Sequence, residues 1–310
     1  MSYFLGFDGG GTKTECVLMD SDGHILTSTR GGPSNPLRTG YSKAWFALSS
    51  VADAVLERNK IKSTDIRGIC AGLGGAGRPQ VARRVTTFLQ RSFPSAAVWV
   101  TGDLDIALAA AAAVGKGVVL LAGTGSAAVG RDTAGKIARA GGRGPWIGDE
   151  GSAFDLGRRA LAAVYRAADG IGPKTNLSER VLGTLEFRNW DELLERIAKN
   201  PDDVIPKMFP LVCNVAESGD EVARELLVSA AGSLAELARS VVDRLQLAGE
   251  QFELAKAGGV FGRSSLLDTT LDSRLAEIAP RARIMALRIS PAQAAADVAR
   301  NLRGEVAHAS

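Results

Sequence analysis

The strongest constraint on this chain is a glycine-rich loop that occurs twice, each time between an apolar strand and a second strand. The first loop follows Phe4–Asp8 and the second follows Val118–Ala122. A shift of about one third of the chain length aligns the two stretches without a gap. It places Gly11, Thr12, Thr14, Val17, Asp20, Gly23 and Ile25 on Gly123, Thr124, Ser126, Val129, Asp132, Gly135 and Ile137. The repeat predicts two duplicated halves with a nucleotide bound between them.

The loops are of a type that binds phosphate through backbone N–H groups. The first consists of Gly9, Gly10, Gly11, Thr12 and Lys13. We expect its three glycines to turn with positive φ and to point successive N–H groups at an anion. A lone glycine turn also fits an ordinary hairpin, but the repeat favours phosphate binding. Neither loop is a Walker A or a Rossmann fingerprint, because the spacing differs and a strand follows each turn.

Composition indicates a globular protein with room for two domains. The chain has 310 residues, of which 45% are hydrophobic and 23% charged, and this is enough for a large core. The net charge is only +3 and aromatic residues make up 5%, so no basic, aromatic face indicates a nucleic-acid partner.

Cysteine usage and hydropathy predict a cytoplasmic protein. Cys16, Cys70 and Cys213 are odd in number and far apart, which favours free thiols in a reducing compartment. No apolar run approaches the ~20 residues of a membrane span, and a strand begins within a few residues of Met1, so neither a membrane segment nor a signal peptide is expected.

Periodicity predicts a βββαβαβα order in each half, which is an α/β fold. In the first half we expect strands near 3–8, 14–20, 24–30, 67–72 and 97–101, and helices near 41–59, 79–92 and 104–113. The second half repeats the three strands and then carries a helical insert from about 155 to 247. The predicted domains are 1–115, which carries the sugar and phosphate side, and 116–310. The last helix, starting at Pro291, is left free to belong to either.

Three motifs occur together in this chain: Val118–Ser126 with its counterpart loop, Gly148–Ser152 and Ala257–Phe261. In this combination they resemble the BadF/BadG/BcrA/BcrD-type ATPase family, whose best understood branch is the N-acetylglucosamine kinases. The family is part of the hexokinase, actin and sugar kinase superfamily. The resemblance implies two ribonuclease-H-like domains with an ATP cleft between them.

The resemblance also implies a catalytic base and a nucleotide site. Asp103 matches the sugar-kinase aspartate that accepts the hydroxyl proton, although helix N-capping is an alternative role and Asp105 a second choice for the base. Asp8 is expected to meet Mg²⁺ through water. The residues implied for ATP are Gly9, Gly10, Gly11, Thr12, Lys13, Gly123, Thr124, Gly125, Gly258, Gly259 and Arg263.

Further residues match positions that bind the sugar in the family. They are Asn35, Gly74, Asp103, Ser126, Ala127, Gly142, Arg143, Gly144 and Asp149. Carboxylates suit sugars because each accepts two hydroxyl hydrogen bonds. Asn35 also fits an ordinary turn before proline, and the Gly258 pair fits a strand-to-helix turn. Arg143 stands where the kinases often have tryptophan; it could meet an anionic substituent or be a solvated surface charge.

The sequence therefore predicts an ATP-dependent kinase that phosphorylates the 6-hydroxyl of N-acetylglucosamine or glucosamine. The alternatives are an N-acetylmuramic acid kinase and an ATPase of the same family without sugar kinase activity. An iron–sulfur activator would need paired cysteines, and a sugar-sensing repressor would need a helix-turn-helix before the first strand. The expected partners are the amino sugar and ATP, with no nucleic acid and no membrane. A homodimer is left open.

Overall fold

The structure is a computed structural model that describes residues 2–112 and 115–306, the last four of these by their backbone alone. Ten strands lie in this part of the chain. They are β1 (Tyr3–Gly9), β2 (Thr14–Asp20), β3 (Ile25–Gly31), β4 (Ile66–Leu73), β5 (Ala97–Gly102), β6 (Gly117–Ala122), β7 (Ser126–Arg131), β8 (Ile137–Gly141), β9 (Glu253–Ala257) and β10 (Arg283–Ala286).

Twelve α-helices also lie in the described residues. They are α1 (Pro36–Thr39), α2 (Tyr41–Asn59), α3 (Pro79–Ser92), α4 (Asp103–Ala111), α5 (Ala153–Ala168), α6 (Leu177–Thr184), α7 (Trp190–Lys199), α8 (Pro201–Val204), α9 (Met208–Glu217), α10 (Glu221–Arg244), α11 (Ser265–Ile278) and α12 (Pro291–Val306). Two 3₁₀ turns lie at Ser63–Asp65 and Ile205–Lys207.

The chain forms two compact units, of which unit 1 comprises Met1–Ala113 and Leu287–Ser310. Its sheet has the order β3-β2-β1-β4-β5, with β1, β4 and β5 parallel. Apolar residues of α2 and α3 cover one face, and α12 covers the other. The approach of α12 is close, because a Cβ atom on Gly6 or Gly68 would collide with its backbone.

Unit 2 spans Val114–Ala286 and has a sheet of the order β10-β9-β6-β7-β8. Strands β6, β9 and β10 are parallel, and β7 and β8 extend the sheet as antiparallel hairpins. Helices α5 to α10 form the insert, and between β8 and β9 the described chain has no strand. The core of the unit joins this insert to the sheet.

The predicted fold class is confirmed: both units are α/β, each has a mixed five-stranded sheet, and the second carries the helical insert. The segment from residue 287 onward lies with unit 1, the alternative that the sequence left open for its last helix. None of the described helices has the length and apolar character of a membrane span.

Hydrogen bonds in the second turn of each half repeat the alignment seen in the sequence. Asp20 Oδ1 accepts the N–H groups of Asp22 and His24, each at 2.9 Å. Asp132 Oδ1 accepts those of Ala134 and Lys136, also at 2.9 Å. The side chains of Asp20, Asp22 and His24 lie close enough together to hold a metal ion. Because the second half forms the same turn with Asp132, their proximity is explained by the turn and is not evidence of a metal site.

Candidate functional site

The predicted residues of unit 1 gather where its parallel strands end. Asp8 lies near the end of β1, Gly74 follows β4 and Asp103 follows β5. Carboxyl ends of neighbouring parallel strands meet at one edge of a sheet. The Gly74 N–H donates to the Gly9 carbonyl at 2.7 Å, which ties the ends of β1 and β4 together.

Asp8 is a half-buried carboxylate in negative surroundings. Desolvation by burial raises the pKa of the Asp8 carboxyl to about 7, and the Asp103 and Glu15 carboxylates add to the rise, while Lys13 opposes it. A hard cation would relieve this repulsion, and carboxylate oxygens are the ligands that Mg²⁺ takes. The Asp8 carboxylate therefore fits Mg²⁺.

Asp103 is the first residue of α4 and not its N-cap, which is Gly102. The capping carboxylate is Asp105, whose Oδ2 accepts the Gly102 N–H at 3.0 Å and the hydroxyl of Thr101. Asp103 Oδ1 accepts the adjacent Leu104 N–H at 3.1 Å. The helix-cap alternative for Asp103 is wrong, because Asp105 fills that role.

The first glycine loop is hydrogen-bonded to residues 34 and 35, while three of its own backbone N–H groups have no acceptor among the residues that the structure describes. Ser34 and Asn35 both donate their N–H groups to the Gly10 carbonyl at 3.1 Å, and Gly10 donates to the Lys13 carbonyl at 2.9 Å. The N–H groups of the next residues have no acceptor in the described part of the chain; these residues are Gly11, Thr12 and Lys13. Adjacent unpaired N–H groups are suited to an anion.

The expectation of positive φ at Gly9, Gly10 and Gly11 is wrong, as none of the three lies in the left-handed region. Two of them are glycine because of close neighbours. A Cβ on Gly9 would overlap Ser34 Oγ, and one on Gly11 would lie 2.7 Å from Arg38 Nη1. At Gly10 the nearest atom would be 4.0 Å away. The loop therefore does not depend on positive φ: Gly9 has no room for a Cβ, whereas at Gly11 the end of the Arg38 side chain would have to move.

Asn35 has the turn role that its place before proline predicts, and its side chain also reaches the turn after β4. Its Oδ1 caps α1 by accepting the Leu37 N–H at 3.0 Å. Its Nδ2 faces the turn after β4, since a Cβ on Gly74 would lie 2.9 Å from that nitrogen. The structure thus brings Asn35 and Gly74 together.

In unit 2 the second loop joins β6 to β7 and rests on α5. The Gly123 N–H donates to the Gly125 carbonyl and the Gly123 carbonyl accepts the Ala153 N–H, both at 2.9 Å. No acceptor for the N–H groups of Thr124 and Gly125 exists among the described residues. Ser126 Oγ donates to the Glu150 carbonyl at 2.7 Å, which links the loop to the Gly148–Ser152 motif.

Asp149 lies directly against this loop. It is 5% exposed and has a φ of 62°, a conformation in which non-glycine residues are uncommon and that is often found at functional sites. The Ser152 N–H donates to its carbonyl at 3.1 Å. Burial and backbone strain together mark Asp149 as a candidate binding residue.

The turn before Asp149 includes the remaining predicted sugar residues of this unit. Gly142 donates its N–H to the Ser126 carbonyl at 2.8 Å and lies beside Ala127. Arg143 is exposed and Gly144 has a φ of 95°. Trp146 is 73% exposed, with its ring edge on Phe154 at 5.8 Å between centroids.

Gly258 and Gly259 form the turn after β9, and their surroundings differ. Gly258 has a φ of 117°, and a Cβ there would collide with the Ala122 carbonyl. Gly259 has open space around it, and Arg263 is exposed. Gly258 is thus required by the turn itself, whereas Gly259 and Arg263 are accessible.

Sequence reasoning missed two residues of unit 1. Ser34 is fully buried, and its Oγ has no hydrogen-bond partner in the described part of the chain. Arg38 lies over Gly11. The signal that could have found them is their place in the same short segment as Asn35, but nothing in the sequence pairs this segment with the first loop.

Known proteins are similar to this chain over almost its whole length. The sequence model of the BadF/BadG/BcrA/BcrD ATPase family matches residues 5–296. An N-acetyl-D-glucosamine kinase of Dictyostelium discoideum is 33% identical over 96% of this chain and 98% of its own length. An N-acetylmuramic acid/N-acetylglucosamine kinase of Clostridium acetobutylicum is 29% identical over 97% and 99%. A solved structure from Chromobacterium violaceum has a TM-score of 0.78 at 26% identity, covering 96% of this chain and 99% of that one.

Proposed function

The chain belongs to the BadF/BadG/BcrA/BcrD ATPase family, and we propose that it is an ATP-dependent kinase that phosphorylates the 6-hydroxyl of N-acetylglucosamine or glucosamine. One observation carries the proposal. The half-buried carboxylate of Asp8 interacts electrostatically with that of Asp103, at the strand edge from which the first glycine loop begins. Phosphoryl transfer needs a metal site, a base and phosphate donors close together, and this edge carries a candidate for each of them.

Asp103 acts as the general base in this proposal. Its carboxylate accepts the proton of the sugar hydroxyl as the hydroxyl oxygen bonds to the γ-phosphorus. The bond between that phosphorus and the β–γ bridging oxygen breaks, and ADP leaves with the bridging oxygen.

Asp8 is the residue that would hold Mg²⁺, through water. When bound, the metal would neutralise phosphate charge during transfer. Backbone N–H groups of the protein bind the phosphate oxygens. In unit 1 these are the N–H groups of Gly11, Thr12 and Lys13, and in unit 2 those of Thr124 and Gly125.

The other predicted residues divide by unit. Those proposed for the nucleotide are Gly9, Gly10, Gly11, Thr12 and Lys13 in unit 1, and Gly123, Thr124, Gly125, Gly258, Gly259 and Arg263 in unit 2. Those proposed for the acceptor sugar are Asn35, Gly74 and Asp103 in unit 1, and Ser126, Ala127, Gly142, Arg143, Gly144 and Asp149 in unit 2. The Asp149 carboxylate and the Asn35 Nδ2 suit sugar hydroxyls as acceptor and donor.

The test is sugar-dependent release of ADP. Purified protein with ATP and Mg²⁺ is offered N-acetylglucosamine, glucosamine, N-acetylmannosamine, N-acetylmuramic acid and glucose in separate reactions. The proposal predicts the fastest release with N-acetylglucosamine or glucosamine. ADP release that is equally fast without any sugar would favour the ATPase alternative.

A second acceptor, N-acetylmuramic acid, is favoured by one observation. Arg143 presents an exposed cation on the turn that leads to Asp149, and one relative is named for both sugars. A lactyl carboxylate would pair with this guanidinium. Replacement Arg143→Gln should then lower turnover of N-acetylmuramic acid and leave that of N-acetylglucosamine unchanged. Equal effects on both sugars would dismiss this role.

A further inference from the structure

Residues 34–38 of unit 1 lie on the edge that carries the first loop, and four of them each face a glycine. We call residues 34–38 the strap. A Cβ atom added to any of the four glycines would meet a strap residue: Gly9 meets Ser34, Gly74 meets Asn35, Gly75 meets Leu37 and Gly11 meets Arg38. The strap is also hydrogen-bonded to the loop, through the Ser34 and Asn35 N–H groups on the Gly10 carbonyl. Its place over the loop is therefore defined by contacts along its whole length.

Arg38 is the strap residue that carries charge to the loop. A Cβ on Gly11 would lie 2.7 Å from Arg38 Nη1 and 3.0 Å from its Cδ, so the side chain crosses the Gly11 backbone. The Arg38 N–H donates to the Asn35 carbonyl at 3.1 Å within α1. The side chain is partly buried, which reduces screening of its charge by water.

The surroundings of the guanidinium are those of an anion site. Gly11, Thr12 and Lys13 have N–H groups without an acceptor in the described residues, and the Lys13 side chain adds a second cation to the same loop. A guanidinium binds phosphate oxygens more specifically than an ammonium does, because its planar donors can contact two oxygens at once.

We propose that Arg38 binds the transferred γ-phosphoryl group of ATP and is a further catalytic residue of this kinase. This inference rests on the proposed function. The first loop starts one residue after Asp8, which interacts with Asp103, and a base must lie next to the hydroxyl that attacks the γ-phosphorus. The phosphate on this loop is therefore the one that is transferred. Arg38 stabilises the charge on its oxygens as the bridging bond breaks.

Arg38→Gln, Arg38→Lys and the control Arg58→Gln test the proposal. Arg58 is an exposed arginine in the last turn of α2 in the same unit. For Arg38→Gln we expect kcat to fall on the order of 10²-fold, as on loss of a donor to developing charge, with the KM for the sugar unchanged. Arg38→Lys should keep part of the activity, and Arg58→Gln should match the unmodified protein.

Nucleotide binding separates a phosphate contact from a merely structural role. Arg38→Gln should weaken binding of a non-hydrolysable ATP analogue at least about tenfold more than binding of ADP, because only the triphosphate has the γ-phosphate. Equal affinities for both nucleotides in Arg38→Gln and Arg58→Gln would overturn the proposal, as would an equal loss for both nucleotides with a lowered melting temperature. This comparison needs no sugar, so it remains decisive even if the unmodified protein fails to phosphorylate any amino sugar.

A second variant covers the case in which Arg38→Gln does not fold. Gly11→Ala keeps the charge but displaces the guanidinium, since the added methyl group would lie only 2.7 Å from Nη1. The end of a long side chain can move aside without disturbing the fold. We expect Gly11→Ala to show the same preferential loss of the ATP analogue over ADP. Unchanged binding of both nucleotides would contradict the proposal.

Discussion

Gly125 lies against the carboxylate of Asp149, so that a Cβ on the glycine would be 2.6 Å from Asp149 Oδ2. The glycine of the second loop thereby sets the position of a buried acidic side chain from a different motif. The first loop shows the same principle, with Arg38 in the space over Gly11. In both units a glycine loop serves as a surface on which a charged side chain rests.

Gly125→Ala should therefore displace Asp149. We expect a loss of about 1–3 kcal/mol in stability, as for other overpacked sites, together with a raised KM for the acceptor sugar. Gly123→Ala is the matched control for stability, because a Cβ there meets nothing within 4 Å. Thermal unfolding and sugar kinetics check this, and equal melting temperatures for the two variants would contradict it.

Asp103→Asn should reduce turnover by ~10²–10⁴-fold, the scale of general base catalysis, while nucleotide affinity is kept. Asp105→Ala is the comparison, since Asp105 caps α4 and removal of its carboxylate should cost about 0.5–2 kcal/mol of stability with little effect on turnover. Near-normal turnover in Asp103→Asn would remove Asp103 as the base.

The sequence sufficed to predict the elements that have a strong pattern. Helix α2 occupies 41–59 and strand β2 occupies 14–20, both as expected, because burial of one face imposes a period that the residues display. The sequence did not predict which segments far apart in the chain contact one another. Nothing in residues 34–38 indicates that Arg38 lies on Gly11, and the roles of Asp103 and Asp105 depend on which of the two meets the Gly102 N–H.

The sequence also did not predict why the first loop contains glycine. Positive φ was expected at Gly9 to Gly11 because glycine permits it, but glycine is also needed wherever a neighbour leaves no room for Cβ. The sequence cannot separate these two causes, since both select the same residue. Only the three-dimensional neighbours, Ser34 and Arg38, decide between them.

Asp8→Asn should raise the stability of the protein and lower its kinase activity. An amide avoids the cost of burying a carboxylate next to Asp103, so the melting temperature in metal-free buffer should rise. Turnover should fall and require more Mg²⁺, because a neutral ligand binds a hard cation less well. A lower melting temperature together with an unchanged Mg²⁺ requirement would contradict this account of Asp8.

Asp132→Ala should destabilise unit 2 by about 1 kcal/mol, through loss of the two hydrogen bonds in its turn. Asp20→Ala should cost unit 1 a similar amount, and Asp22→Ala, which removes no carboxylate bond of that turn, should cost less. Denaturant unfolding of the three variants measures this. If Asp22→Ala were as destabilising as Asp20→Ala, the turn would not be the source of the stability.

The most direct test of the central claim is identification of the product. Protein, ATP, Mg²⁺ and N-acetylglucosamine or glucosamine are incubated, and phosphorus NMR follows where the γ-phosphoryl group goes. The proposed function predicts a sugar 6-phosphate formed in equal amount to ADP, with no build-up of inorganic phosphate. Inorganic phosphate in equal amount to ADP, with every amino sugar left unmodified, would contradict it.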